Sequence, residues 1–449
     1  MRNFFLTFLA LFTISIAISQ EETTTKTSFT LQEAIDFALK NNYSAINADR
    51  DLIDAKKQKW ETIATGLPQI TGGVNYQNQL KQPVSVIPAE IFGGEPGTFA
   101  EVVFGQPQSA TATATLRQQI FDGSYIVGVQ ATKAFLSYSA NNKEKTDLEV
   151  RKAVTEAYGN VLLADESVSI FEKNKSNLEK NLFETTKIYE NGLGDEESVE
   201  QLQITLSSVD NQLKNAIRLK DITLQMLNLV MGVAIDSPTS LTENLDDLAQ
   251  KQIDFGLLES AFNMENNVDF KLATNLNEQR YFEWKLAKSR ALPTLNAFVN
   301  YGTSAFADDF NFLSSNQQWF DSSILGFDLS IPIFSSGKRS ASTARAKIAL
   351  EKAKTQLTEA EEQIRLQLEN SKSNYVLAIE QYETAKDNLN LAERIENKNQ
   401  VKYNEGLASS FELRQAQTQL YDAQQGYLQS MVEVINKKTE LETIINNKS

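Results

Sequence analysis

The sequence predicts an α+β membrane protein built twice from one unit, in which a pair of antiparallel strands feeds a long coiled-coil helical hairpin. Three observations predict it. A short motif recurs with its flanks at a fixed offset, four segments alternate apolar and polar residues, and one helix-patterned stretch, Gly337 to Lys402, contains no proline and no glycine after its first residue.

Self-similarity is the first of these. Leu67-Pro68-Gln69-Ile70 is answered by Leu292-Pro293-Thr294-Leu295, an offset of 225 residues. At the same offset Asn41-Asn42 falls on Asn266-Asn267, and Ile70, Gly72, Val74 and Tyr76 fall on Leu295, Ala297, Val299 and Tyr301. Ile120-Phe121 pairs with Ile333-Phe334, and Tyr189-Glu190-Asn191-Gly192-Leu193 with Tyr403-Asn404-Glu405-Gly406-Leu407 at an offset of 214. The shrinking offset places a shorter inter-strand loop in the second copy, and loops absorb such differences.

Period-two alternation marks the strands. Ile70, Gly72, Val74 and Tyr76 oppose Gln69, Thr71, Gly73 and Asn75, and Ala110, Ala112, Ala114 and Leu116 oppose Thr111, Thr113, Thr115 and Arg117. In the second copy Leu295, Ala297, Val299 and Tyr301 oppose Thr294, Asn296 and Asn300, while Leu325, Phe327, Leu329, Ile331 and Ile333 oppose Asp328 and Ser330. One face is apolar and the other carries hydroxyls, amides and charge. Residues 81–108 read as a Pro/Gly-rich loop, and 302–320 as a loop carrying Phe306, Phe310, Phe312, Trp319 and Phe320. With Tyr76 and Tyr301 these aromatics suit an interfacial girdle; packing of the loop upon itself is the alternative.

Spacings of three and four mark the helices. Val154, Ala157, Val161, Ala164, Val168, Phe171, Leu178 and Leu182 form a seam answered by Val199, Leu202, Leu206, Val209, Leu213 and Ala216. In the second copy Leu357, Ala360, Ile364, Leu368, Tyr375, Ala378, Tyr382, Ala385, Leu389 and Ala392 are answered by Leu413, Ala416, Leu420, Ala423 and Tyr427. Large residues alternate with alanine, as in knobs-into-holes packing. At ~1.5 Å per residue the stretch to Lys402 makes a helix of roughly 100 Å, longer than a compact domain can use.

The first residues predict export. Arg2, an apolar stretch from Phe4 to Ile18 and the small-x-small triplet Ala17-Ile18-Ser19 form a secretory signal peptide over 1–19, with cleavage before Gln20. Beyond it no 18-residue apolar run occurs, so a membrane can be spanned only by strands. The chain has no Cys and no His, which removes thiol nucleophiles, disulfides and the commonest general base and metal ligand. The expectation is a protein with no catalytic residue, no cofactor and no metal site. A net charge of −15 argues against nucleic acid.

Four strands cannot close a membrane barrel, the smallest of which have about eight. An open sheet in lipid leaves backbone groups unpaired at several kcal/mol each. Several copies of the chain must therefore pool their strands, with polar faces lining a lumen and apolar faces meeting lipid.

The repeated Leu67-Pro68 and Leu292-Pro293, the strand exits Ile120-Phe121-Asp122 and Pro332-Ile333-Phe334, and the turns around Tyr189 to Gly192 and Tyr403 to Gly406 together resemble the TolC family of outer-membrane efflux proteins. The resemblance covers nearly the whole chain after the signal segment. It implies a homotrimer with a twelve-stranded barrel in outer-membrane lipid, continuous with a long periplasmic α-helical barrel, in a Gram-negative cell. It also implies a passive exit duct for small molecules or polypeptides, in a tripartite efflux pump or type I secretion system. Its partners would be a periplasmic adaptor of the membrane-fusion type and an inner-membrane transporter of the RND or ABC type. The two helix turns would form the periplasmic tip that meets the adaptor, here Gly192, Leu193 and Gly194, and Gly406, Leu407, Ala408 and Ser409. Family members narrow the entrance with acidic rings after the second turn. That pattern falls on Glu412, but its next position is Gln415, and Glu196 and Glu197 crowd the other turn. The same glycines suit helix C-caps, and the same carboxylates suit helix N-termini at ~0.3–1 kcal/mol each. The first copy departs from the pattern at Gln119, where the second has Pro332.

The expected division is first-copy N-terminal helices over 20–66, a β-hairpin over 67–121 with strands at 68–80 and 109–121, and a helical hairpin over 122–232 turning at 190–197. A connector and second-copy helices follow over 233–291, then a hairpin over 292–334 with strands at 293–302 and 322–334. A second helical hairpin over 335–449 turns at 404–410. A periplasmic adaptor would share the helical hairpins but needs lipoyl-like and compact β domains. A coiled-coil scaffold would leave the alternating strands unexplained.

Overall fold

The computed structural model describes residues 27–446; the expected signal segment lies outside them. In chain order the elements are β1 (Ser28–Phe29), α1 (Leu31–Asn41), α2 (Tyr43–Ala64), β2 (Gln69–Asn78), β3 (Val84–Pro88), β4 (Phe99–Val103) and β5 (Gln108–Asp122). The helices α3 (Gly123–Glu190) and α4 (Glu196–Met231) follow, then β6 (Ser240–Leu241), α5 (Leu245–Lys251), α6 (Phe255–Glu259) and α7 (Val268–Ser289). The chain closes with β7 (Thr294–Ala307), β8 (Phe320–Ser330), α8 (Lys338–Asn404) and α9 (Ser410–Ile445). No described helix is long and apolar enough to cross a membrane.

Helix lengths set the shape of the helical part. α3 and α8 have 68 and 67 residues, roughly 100 Å each at ~1.5 Å per residue, whereas α4 and α9 have 36 each. The return helices therefore cover only about half of their partners. Beside the rest lie α2 and α7, held to α3 by pairs such as Lys143–Asp49 at 3.3 Å and Lys271–Glu144 at 3.0 Å. Asn42 and Asn267 do the same two jobs. Each caps a helix, accepting from Ser44 N and Phe270 N, and each amide reaches a carbonyl near the end of a return helix, Val230 O at 2.7 Å and Ile444 O at 2.8 Å.

The largest core lies at the middle of the long helices, where α1, α5 and the β1–β6 pair wrap them. Two fully buried tyrosines tie the wrap down. The Tyr158 hydroxyl donates to Phe29 O at 3.1 Å and to Glu243 Oε2 at 3.3 Å, and the Tyr375 hydroxyl donates to Gln252 O at 2.6 Å while accepting from Asp254 N. Toward the α3–α4 turn a second core of Phe171, Leu178, Leu202, Val209, Leu213 and Ala216 fills the seam.

The strands form an antiparallel sheet in the order β2-β5-β7-β8. Ile70, Leu116, Val299 and Leu325 align across it in one row, and Thr115 and Asn300 align on the opposite face, where the Asn300 amide donates to Thr115 Oγ1 at 2.6 Å. The alternation is imperfect on that face, for Phe298 and Ile324 lie there and the Phe298 ring covers Gly326. On the apolar face Val74 is 83% exposed and Leu325 69%.

The structure corrects three expectations. β7 runs to Ala307 and β8 begins at Phe320, so Phe306 and Phe320 are strand residues with rings 6.3 Å apart rather than loop residues. β8 stops at Ser330 instead of 334, because Pro332 has no N–H to give the ladder. At the matching point Gln119 lets β5 continue through a bulge to Asp122, whose carboxylate caps α3 directly. Within 81–108, β3 and β4 pair into a ribbon where only a loop is expected. The aromatics divide: Phe312 is buried against Tyr76 and Phe310, while Phe306, Phe310 and Phe320 remain half or more exposed.

Candidate functional site: the helical tip

At the end farthest from the sheet the two hairpins turn within a few residues. α3 ends in a paired-hydrogen-bond cap: Leu193 N donates to Ile188 O at 3.0 Å and Gly192 N to Tyr189 O at 2.8 Å. This geometry requires a left-handed residue, supplied by Gly192 at φ 77°. α8 ends likewise, with Leu407 N to Lys402 O at 2.7 Å and Gly406 at φ 71°. Gly194 packs on Ile188, where a Cβ would come within 3.1 Å of its methyl group.

Each return helix begins with a side-chain cap. Asp195 accepts from Ser198 N at 2.6 Å, and this bond holds its carboxyl below the usual carboxylate range. Ser409 and Glu412 form a reciprocal capping box: Glu412 N donates to Ser409 Oγ, and Ser409 N donates to Glu412 Oε2 at 2.7 Å. The backbone hydrogen bond from Ser409 lowers the Glu412 pKa. Glu412 therefore has a structural partner, whereas Gln415 is exposed. Glu196 and Glu197 lie in the first turn of α4, with Glu197 accepting from the Gln201 amide at 2.9 Å.

The structure brings the two turns side by side. Ser198 Oγ donates to Ser410 Oγ at 2.9 Å, Thr185 Oγ1 and the Tyr403 hydroxyl lie 2.7 Å apart, and the Asn181 amide donates to Gln400 Oε1 at 2.9 Å. This polar ladder fixes the hairpins to each other and leaves Leu193 and Leu407 in solvent at 82% and 74% exposure, beside Phe411. Sequence reasoning missed the ladder, since its members come from segments more than 200 residues apart. The capping box was legible as Ser-x-x-Glu.

The box makes a testable pH dependence. Ser409→Ala should cost about 1 kcal/mol at the helix start. Because the folded Glu412 pKa is lowered, its stabilisation is full above the ordinary glutamate range and is lost as pH falls through the lowered value. Amide protection at 406–412, taken relative to the intrinsic exchange rate at each pH, should fall in that window in the wild-type protein and be low throughout in Ser409→Ala; pH-independent protection in the wild type would contradict the assignment.

Comparison with known proteins agrees with this architecture. Residues 264–447 match the family model described as outer membrane efflux protein. Among solved structures, the outer membrane protein VceC of Vibrio cholerae is 17% identical with a TM-score of 0.70, over 92% of this chain and 95% of that one. The CmeC outer membrane channel of Campylobacter jejuni is 16% identical with a TM-score of 0.72, over 92% and 85%. The open state of the MtrE outer membrane channel of Neisseria gonorrhoeae is 16% identical with a TM-score of 0.71, over 92% and 88%. At such identities the likeness is one of fold. A search of curated protein sequences finds no match. Residues 264–447 thus match the outer membrane efflux protein model by sequence, and nearly the whole chain shares the fold of these outer membrane channels.

Proposed function

We propose that three copies of this chain close one twelve-stranded barrel in the outer membrane and continue it into a helical duct across the periplasm. The open sheet carries this reading. β2 and β8 each leave one edge unpaired, which in hydrocarbon costs several kcal/mol per backbone group. Because β2 runs parallel to β7 and opposite to β5 and β8, β8 meets β2 of the next copy antiparallel, as a closed meander requires. Thr111, Thr113, Thr115, Asn296 and Asn300 then line the lumen, and the exposed row of Ile70, Val74, Leu325, Phe327 and Leu329 faces lipid. The matched roles of Asn42 and Asn267 support descent of both halves from one duplicated unit.

The duct is passive and takes its energy from an inner-membrane RND-type or ABC-type transporter through a periplasmic adaptor. The adaptor contacts Gly192–Gly194 and Gly406–Ser409, with Leu193 and Leu407 as its apolar footholds. The entrance is narrowed by Glu196, Glu197, Glu412 and Gln415 around the ring, the charge coming chiefly from the first turn. Small molecules or polypeptides pass outward. Fractionation tests the location: the protein should follow outer-membrane fractions and resist salt and alkali, and its release by either treatment would overturn the reading.

A further inference from the structure

The apolar face does not end with the strands. Leu67, Leu292, Ile333 and Phe334, on the helix side of the sheet, remain exposed, the last two at 90% and 84%. Immediately below them lies the last part of α7. Tyr281, Trp284, Lys285 and Lys288, spaced i, i+3, i+4 and i+7, share one face of it. Its flanks are occupied elsewhere: Asn275 bonds to Asn141 and Ser289 to Ser124 of α3, and Ala287 O accepts from Thr343 of α8.

On the free face the two lysine ammonium groups lie over aromatic rings. Lys285 Nζ is 5.0 Å from the Tyr281 centroid, and Lys288 Nζ is 5.4 Å from that of Trp284. Neither lysine has a carboxylate partner among the described residues. In a chain of net charge −15, segments 279–290 and 338–350 contain one carboxylate, Glu283, and it is paired with Arg280 at 2.7 Å. Against it stand Lys285, Lys288, Arg290, Arg345 and Lys347, among others.

We propose that this face of α7 is a collar that binds anionic phospholipid headgroups of the leaflet nearest the helices, an inference that rests on the membrane-spanning reading of the sheet. Depth supports it. Lys288 and Lys285 lie one and four residues before Ser289, roughly 1.5 and 6 Å at the helical rise, within a headgroup layer about 5–8 Å thick. Chemistry supports it too: amphipathic rings and snorkelling lysines are the side chains that settle at a membrane interface. An acidic protein is repelled by an anionic leaflet, and here its charge reverses where the two meet.

The test uses the full assembly in phosphatidylcholine vesicles with and without phosphatidylglycerol. Native mass measurement should find phosphatidylglycerol retained over phosphatidylcholine, and Lys285→Gln/Lys288→Gln should lower that preference by roughly fivefold per lysine. In a Trp60→Phe/Trp319→Phe background, Trp284 is the only tryptophan, and a quencher on the lipid headgroup should quench it more than aqueous iodide does. Insertion of the protein with unchanged lipid retention and iodide-quenched Trp284 overturns the collar alone. Failure of the wild type to insert overturns both the collar and the membrane-spanning sheet.

Discussion

Val74→Arg should abolish accumulation of the assembled channel in the outer membrane, while Asn75→Arg, one residue away, should leave it nearly intact. The two side chains point to opposite faces of β2: Val74 pairs with Ala112 on the apolar side, and Asn75 with Thr111 on the polar side. Val74 sits mid-strand and is 83% exposed. An arginine facing lipid near the midplane costs ~2–4 kcal/mol, roughly 30- to 700-fold per copy, and every copy in the ring carries it. On the lumen side the same arginine stays in water. Outer-membrane fractions should hold trimer for Asn75→Arg and little for Val74→Arg; equal amounts of both would remove the basis for assigning the faces.

The second large effect is expected in the helical part, at Gly232. This residue ends α4 with φ 79°, and a Cβ there would overlap the carbonyl oxygen of Asn41. That carbonyl cannot move freely, because the neighbouring Asn42 is bound to Val230 O at 2.7 Å. Gly232→Ala therefore combines a left-handed backbone, about 1–2 kcal/mol, with a backbone collision. The total should reach about 3 kcal/mol, the range of substitutions that break packed interiors. Gly426→Ala is the control: the position is helical, nothing lies within 4 Å of the added Cβ, and the change should gain ~0.5–1 kcal/mol. A thermal melt of the helical signal should fall markedly for the first and not for the second. Equal melts would show that the α4 end is not pinned to the α1–α2 junction.

What the sequence makes legible is periodic. Alternation from Ile70 to Tyr76 and from Ala110 to Leu116 is visible because each strand has one apolar and one polar face, and the seam from Val154 to Leu178 because each helix buries one stripe. Features that depend on distant partners are not visible this way. Tyr375 reads as an ordinary seam residue and Tyr158 falls outside the seam the spacing marks, yet their hydroxyls hold backbone groups more than 100 residues away. The ribbon of β3 and β4 hides among prolines and glycines that signal turns, although Val84 and Val86 alternate as strand residues do. Asn41-Asn42 and Asn266-Asn267 stand out as a repeated pair without disclosing that the second Asn of each caps one helix and ties off another. At the tip, Glu412 answers to two patterns at once, an acidic position after a turn and the last residue of a capping box. The structure gives it the second role, and the first depends on how copies surround it.

The mass of the intact protein extracted in mild detergent tests the central claim most directly. A chain whose sheet has two unpaired edges and an exposed apolar face should come out as three chains bound together, and the trimer should persist on dilution. A stable, folded monomer in the same detergent would contradict the account, because it would mean that the edges of β2 and β8 need no partner.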